Sequence, residues 1–142
     1  MLVKEVKKDK IYLLALILSG LFLPWLLISL KFLNFSFLVE ELFKLLVIFF
    51  FAYKIPGFKD GFLGVFLFGL FFSLSETILY LNNIYVSEEY IFIWGRILLT
   101  LPMHILTVII IFTFGLKDRR YLFLGFVIAV LIHMFFNFLF IL

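Results

Sequence analysis

Residues 121–142 read YLFLGFVIAVLIHMFFNFLFIL, an apolar run with no Asp, Glu, Lys or Arg but with His133 and Asn137 near its end. A helix crossing the hydrocarbon core of a bilayer needs about 20 such residues at 1.5 Å rise each. The run therefore reads as a transmembrane span. Four more stretches read the same way: Ile11–Leu30, Leu33–Tyr53, Gly61–Leu81 and Ile91–Phe114. Breaks fall at Lys31, at Lys54-Ile55-Pro56-Gly57, from Asn82-Asn83 to Tyr90, and at Gly115 through Arg120. Pro and Gly in the second break and Gly115 in the fourth read as helix terminators.

Composition agrees. Of 142 residues, 66% are hydrophobic and 23 are Phe, far more than a water-soluble core of that size can bury. No period-2 alternation suggests strands. The expected fold is an all-α integral membrane bundle of about five spans, one domain over 1–142, in a multi-pass protein of the cell membrane. The first run is too long for a signal-peptide core and lacks a small-residue cleavage pattern, so it reads as an uncleaved span. There is no Cys, which excludes a disulfide framework and a thiolate metal site. No basic, aromatic-interleaved patch suggests nucleic-acid binding.

Charge sets the expected orientation. With a cytoplasmic N-terminus, the inside segments hold Lys4, Lys7, Lys8, Lys10, Lys54, Lys59, Lys117, Arg119 and Arg120, against Lys31 alone outside. That asymmetry is a positive-inside signal, and the Glu88-Glu89 loop then lies outside.

Within the spans stand Glu40, Glu41, Lys44, Glu76, Arg96, His104 and His133, with Asn137 as a polar neighbour. A charged side chain at the bilayer centre costs about 2.5–3.5 kcal/mol on insertion scales, so these groups must pair or line a polar cavity. Glu40 and Lys44 are spaced i,i+4, so they share a face and can pair, while Glu41, about 100° around the helix, can point elsewhere. His133 and Asn137 share a face of the fifth span, and Arg96, Thr100 and His104 make a stripe on the fourth, with Thr107 close by. Gly69, Ser73 and Glu76 share a face of the third, where small residues admit a neighbouring helix. Counting rise from the expected outer boundary puts Glu40 and Glu41 roughly 11–12 Å deep, Glu76 roughly 8 Å, His133 roughly 12–14 Å and Asn137 roughly 8 Å. His104, at roughly 20 Å, is the outlier.

The inventory suits hydrolysis. His-Glu-x-x-His, an intramembrane Asp pair and a serine elbow are all absent. A Glu held near a cation, helped by a His, can deprotonate water for attack on a peptide carbonyl, and His133 and Asn137 can donate to the oxyanion.

Four segments in series carry a resemblance. Glu40-Glu41-Leu42-Phe43-Lys44 looks like the Glu-Glu-x-x-Lys motif of the PrsW family of intramembrane proteases, and Phe72 through Glu76 is similar to its Phe-x-x-x-Glu motif. His104-Ile105-Leu106-Thr107 resembles its third motif and His133 through Asn137 its last. Arg96, Asp60-Gly61, Gly64 and Gly69 also match. The motif-bearing core covers 33–142, with five spans where family members often carry more. The family is related to the CAAX prenyl endopeptidases and to bacteriocin-associated membrane proteins. The resemblance implies a glutamate-type, metal-independent endopeptidase acting on a membrane-anchored protein or peptide, although relatives have been labelled metalloproteases.

On that reading Glu40 or Glu41 is the general base, Glu76 and His104 position the water, His133 and Asn137 stabilise the oxyanion, and Lys44 and Arg96 hold the carboxylates. No cofactor is expected. The alternatives are a zinc protease using His104, His133 and a Glu as ligands, a small proton-coupled transporter, and a non-catalytic membrane binding or immunity protein.

Overall fold

The computed structural model describes residues 2–30, 35–87 and 93–141, with side chains described for 9–30, 35–81 and 98–139. Lys31 and the Glu88-Glu89 pair lie outside the described residues. The side chains of Lys4, Lys7, Lys8 and Arg96 do so as well, although Arg96 falls on a helix.

Five α-helices form: α1 (Leu2–Leu27), α2 (Ser36–Phe51), α3 (Phe58–Ser87), α4 (Ile93–Lys117) and α5 (Leu122–Ile141). Short 3₁₀ turns follow α1 and α2 and precede α5, and no strand occurs among the described residues. Four segments are long and apolar enough to cross a membrane: Asp9–Leu30, Phe58–Leu81, Leu98–Lys117 and Arg119–Leu139. The chain is a multi-pass membrane protein.

The exception is α2. Its 16 residues rise only about 24 Å, less than the expected span Leu33–Tyr53. Pro56 accounts for the near end. The residue before a proline is driven from the helical region, and Ile55 is extended at ψ 118°. Gly57 then takes φ +86°, a left-handed conformation suited to glycine, and the chain turns into α3.

Two helices run past the first residues of their expected breaks, though each still ends inside its break. α3 runs through Asn82-Asn83 to Ser87, because asparagine in water need not stop a helix as it stops an apolar run. α4 likewise runs through Gly115 to Lys117. The role of Gly115 is space: a Cβ there would lie 2.0 Å from the Tyr53 hydroxyl, which donates to the Phe112 carbonyl at 3.0 Å.

Counting from the helix ends levels Glu76 with His104, two residues that counting from the apolar runs set apart. Glu76 sits eleven residues before Ser87 and His104 eleven residues after Ile93, each about 16 Å from its helix end. His104 is therefore level with Glu76, not an outlier, and α4 continues as one helix through Pro102.

Packing follows the order α1–α3–α4–α5, with α2 seated against α5, α1 and α4. Leu16, Ile48, Val65, Phe68, Phe72, Val108, Ile111 and Ala129 are buried between the helices, while Leu26, Leu98, Phe123 and Phe138 face outward. In lipid this outward apolar surface is ordinary, and small residues at the seams let backbones close up. Gly69 does so between α3 and α4, where a Cβ would stand 3.0 Å from Ile105 Cα and 2.7 Å from Val108 Cγ2. α1 ties to α3 through Ser75 Oγ, which donates to the Leu21 carbonyl at 2.7 Å. It supplies no ionisable group to the interior among its described side chains.

Candidate active site

Lys44 lies at the centre of the bundle with no exposed surface. Its Nζ donates to Glu41 Oε1 at 2.6 Å and reaches His104 Nδ1 at 2.7 Å and Thr107 Oγ1 at 3.5 Å. The ammonium also stands 4.5 Å from the centre of the Phe72 ring, a favourable cation–π arrangement. Lys44 pairs with Glu41 at i,i+3, a spacing that shares a helix face as i,i+4 does, and Glu40 is buried beside them.

From Lys44 two arms extend. His104 Nε2 is 2.5 Å from Glu76 Oε2. His133 Nδ1 is 2.8 Å from Glu41 Oε1, and its Nε2 is 3.9 Å from Glu40 Oε2. The two imidazoles meet edge to face at 5.3 Å, and Phe72 packs on His104 at 4.9 Å.

Donors and acceptors then assign the ring protons. An ammonium can only donate, so His104 Nδ1 accepts from Lys44 and its Nε2 carries the hydrogen that Glu76 accepts. His133 donates from Nδ1 to Glu41, and its Nε2 faces Glu40. Glu41 Oε2 is buried without a hydrogen-bond partner among the described residues.

Beside this network is a cavity lined by Glu76, Thr77, Tyr80, Thr100, Met103, His133, Phe136 and Asn137, from α3, α4 and α5. About 20 Å³ is open to the centre of a water molecule, enough to hold one among several polar partners.

The structure thus brings Glu40, Glu41, Lys44, Glu76, His104 and His133 into one network, with Asn137 across the adjoining cavity. Sequence reasoning took Phe72 for packing, yet its ring carries Lys44 and His104. Thr77 and Tyr80 were missed. Tyr80 follows Glu76 by four residues, the helical spacing that could have flagged it.

Two sets of atoms lie close enough to suggest a metal: one from each of Glu41, His104 and His133, and one from each of Glu40, Glu76 and His104, each set within 4.8 Å. Neither fits an ion as arranged. The Lys44 ammonium stands within the first set, already bonded to Glu41 and His104. The second needs a lone pair on His104 Nε2, the nitrogen that carries the proton. A metal-ligating His ordinarily donates its other N–H to an acceptor, whereas Nδ1 here faces a donor.

A family model described as PrsW family intramembrane metalloprotease matches residues 11–142, nearly the whole chain. No curated protein and no solved structure matches it.

Proposed function

The chain belongs to the PrsW family, described as intramembrane metalloproteases; from that family we propose an intramembrane endopeptidase that cleaves a membrane-anchored protein or peptide, and from the Lys44 ammonium among its own donor groups one that works by carboxylate-activated water without a metal. The observation that carries the reading is the convergence of α2, α3, α4 and α5 on one buried charge network beside a water-sized cavity.

Glu76 is the best-placed base, because its carboxylate both lines the cavity and accepts the His104 Nε2–H bond. Glu41 is committed to Lys44 and His133, so the base moves from the Glu40–Glu41 pair to Glu76. Water in the cavity attacks the peptide carbonyl carbon as Glu76 takes its proton. The tetrahedral oxyanion accepts from the Asn137 amide, and Glu76 returns the proton to the leaving nitrogen as the C–N bond breaks. Such a base contributes typically about 10²–10⁴-fold, and an oxyanion donor about 10²–10³-fold. His133, whose Nδ1 bonds Glu41, lines the cavity beside Asn137. Lys44 and Glu41 orient the two imidazoles.

Reconstitution with single-span peptides tests the reading, with new termini mapped by mass spectrometry. Wild type cleaves and Glu76→Gln does not; equal rates would refute the assignment. The zinc-dependent reading draws on the family's description as metalloproteases. Loss of cleavage in strong chelator, restored by zinc, would favour it.

A further inference from the structure

We propose that the Lys44 ammonium is the resident cation of this site, standing where a divalent ion would otherwise bind, and that removing it opens a metal site of zinc type. The inference deepens the metal-free reading above and rests on the same network.

Around Lys44 the donor set is already that of a catalytic metal centre. Two imidazole nitrogens and a carboxylate oxygen from three different helices lie within 4.8 Å of one another, and two His with one Glu suffice to hold zinc with an open position. Both rings turn Nδ1 toward the Glu41–Lys44 pair. The outer groups are suitable too. With Nδ1 ligating, each ring would carry its hydrogen on Nε2, where His104 meets Glu76 and His133 faces Glu40. Those are the carboxylate–histidine pairs that support metal-bound imidazoles. What the set lacks is vacancy.

A single ammonium closes both candidate sets at once. It stands in the Glu41–His104–His133 set, and by donating to His104 Nδ1 it keeps the proton on Nε2, shutting the Glu40–Glu76–His104 set. Every direction from Nζ is served: Glu41, His104 and Thr107 take its hydrogens, and the Phe72 ring faces the charge. Repulsion between an ammonium and a divalent ion about 4 Å apart, even at an effective dielectric of about 20, is twice that of two unit charges and weakens binding by roughly a millionfold.

The experiment reads metal uptake, not cleavage, so its failure is separable from failure of the peptidase reading. Wild type, Lys44→Ala, Lys44→Met and the Lys44→Ala/His133→Ala double variant are purified in detergent and titrated with Co²⁺, then with Zn²⁺ in competition. Wild type is expected to show no tetrahedral cobalt spectrum. Lys44→Ala and Lys44→Met should bind one ion roughly a millionfold tighter, and the double variant should lose it. Tight stoichiometric binding by wild type, or none by monodisperse, helical Lys44 variants, overturns the proposal. If neither variant folds, ¹⁵N-histidine NMR of wild type decides: an Nε2–H tautomer at His104 supports it and an Nδ1–H tautomer overturns it.

Discussion

Gly69→Ala should cost activity out of proportion to stability. The added Cβ would lie 3.0 Å from Ile105 Cα and 2.7 Å from Val108 Cγ2, against an optimal carbon separation of about 3.5–4.0 Å. Val108 can rotate away, but the Ile105 backbone cannot, so α4 must retreat from α3 by about 0.5–1 Å. Overpacking of this kind costs about 1–3 kcal/mol of stability. The site is more sensitive. His104 adjoins Ile105, and its bond to Glu76 crosses the same seam at 2.5 Å, so the displacement lengthens it beyond about 3.0 Å, the usual optimum. A misplacement of about 1 Å can cost about a hundredfold in rate, and about tenfold or more is expected here. Gly125→Ala is the control, because its Cβ would stand 3.1 Å from Ile111 Cα in the α4–α5 seam, away from the network. Both variants are compared for peptide cleavage in proteoliposomes and for unfolding in mixed micelles. Equal loss of activity at equal loss of stability would refute the link between that seam and the His104–Glu76 contact.

Glu41→Gln leaves the Lys44 ammonium buried beside a neutral amide and should destabilise the fold by about 3–5 kcal/mol, read as an earlier transition in a denaturing-detergent titration. Asn137→Ala removes the oxyanion donor, so cleavage should fall about 10²–10³-fold with the unfolding midpoint little changed. Tyr53→Phe removes the hydrogen bond to the Phe112 carbonyl and should cost about 0.5–1.5 kcal/mol while cleavage by the folded fraction stays at wild-type level.

The bundle was legible in the sequence because lipid permits so few alternatives: every backbone group must be satisfied internally, and apolar runs of spanning length then read directly as helices. The convergence of Glu41, Lys44, Glu76, His104 and His133 followed from the cost of burying charges apart. What the sequence hid were matters of geometry. Glu40 and Glu41 both lie within reach of Lys44 along a helix, and spacing alone could not show that Glu41 pairs with it. The edges of the apolar runs, taken as boundaries, set Glu76 and His104 at different levels, although the two side chains are in hydrogen-bond contact. Gly115 looked like punctuation and instead makes room for Tyr53. Phe72 could not be told from the other phenylalanines, since a ring that holds a cation and one that fills a gap have the same letter.

The two-part form of α2 has a consequence for how it sits in lipid. Sixteen α-helical residues rise about 24 Å and the 3₁₀ turn Ala52–Lys54 adds about 6 Å, together close to a hydrocarbon core about 30 Å thick. A helix longer than the core can tilt to fit it. This one has no length to spare, so an upright α2 would hold Glu40, Glu41 and Lys44 at one level while longer helices lean around it.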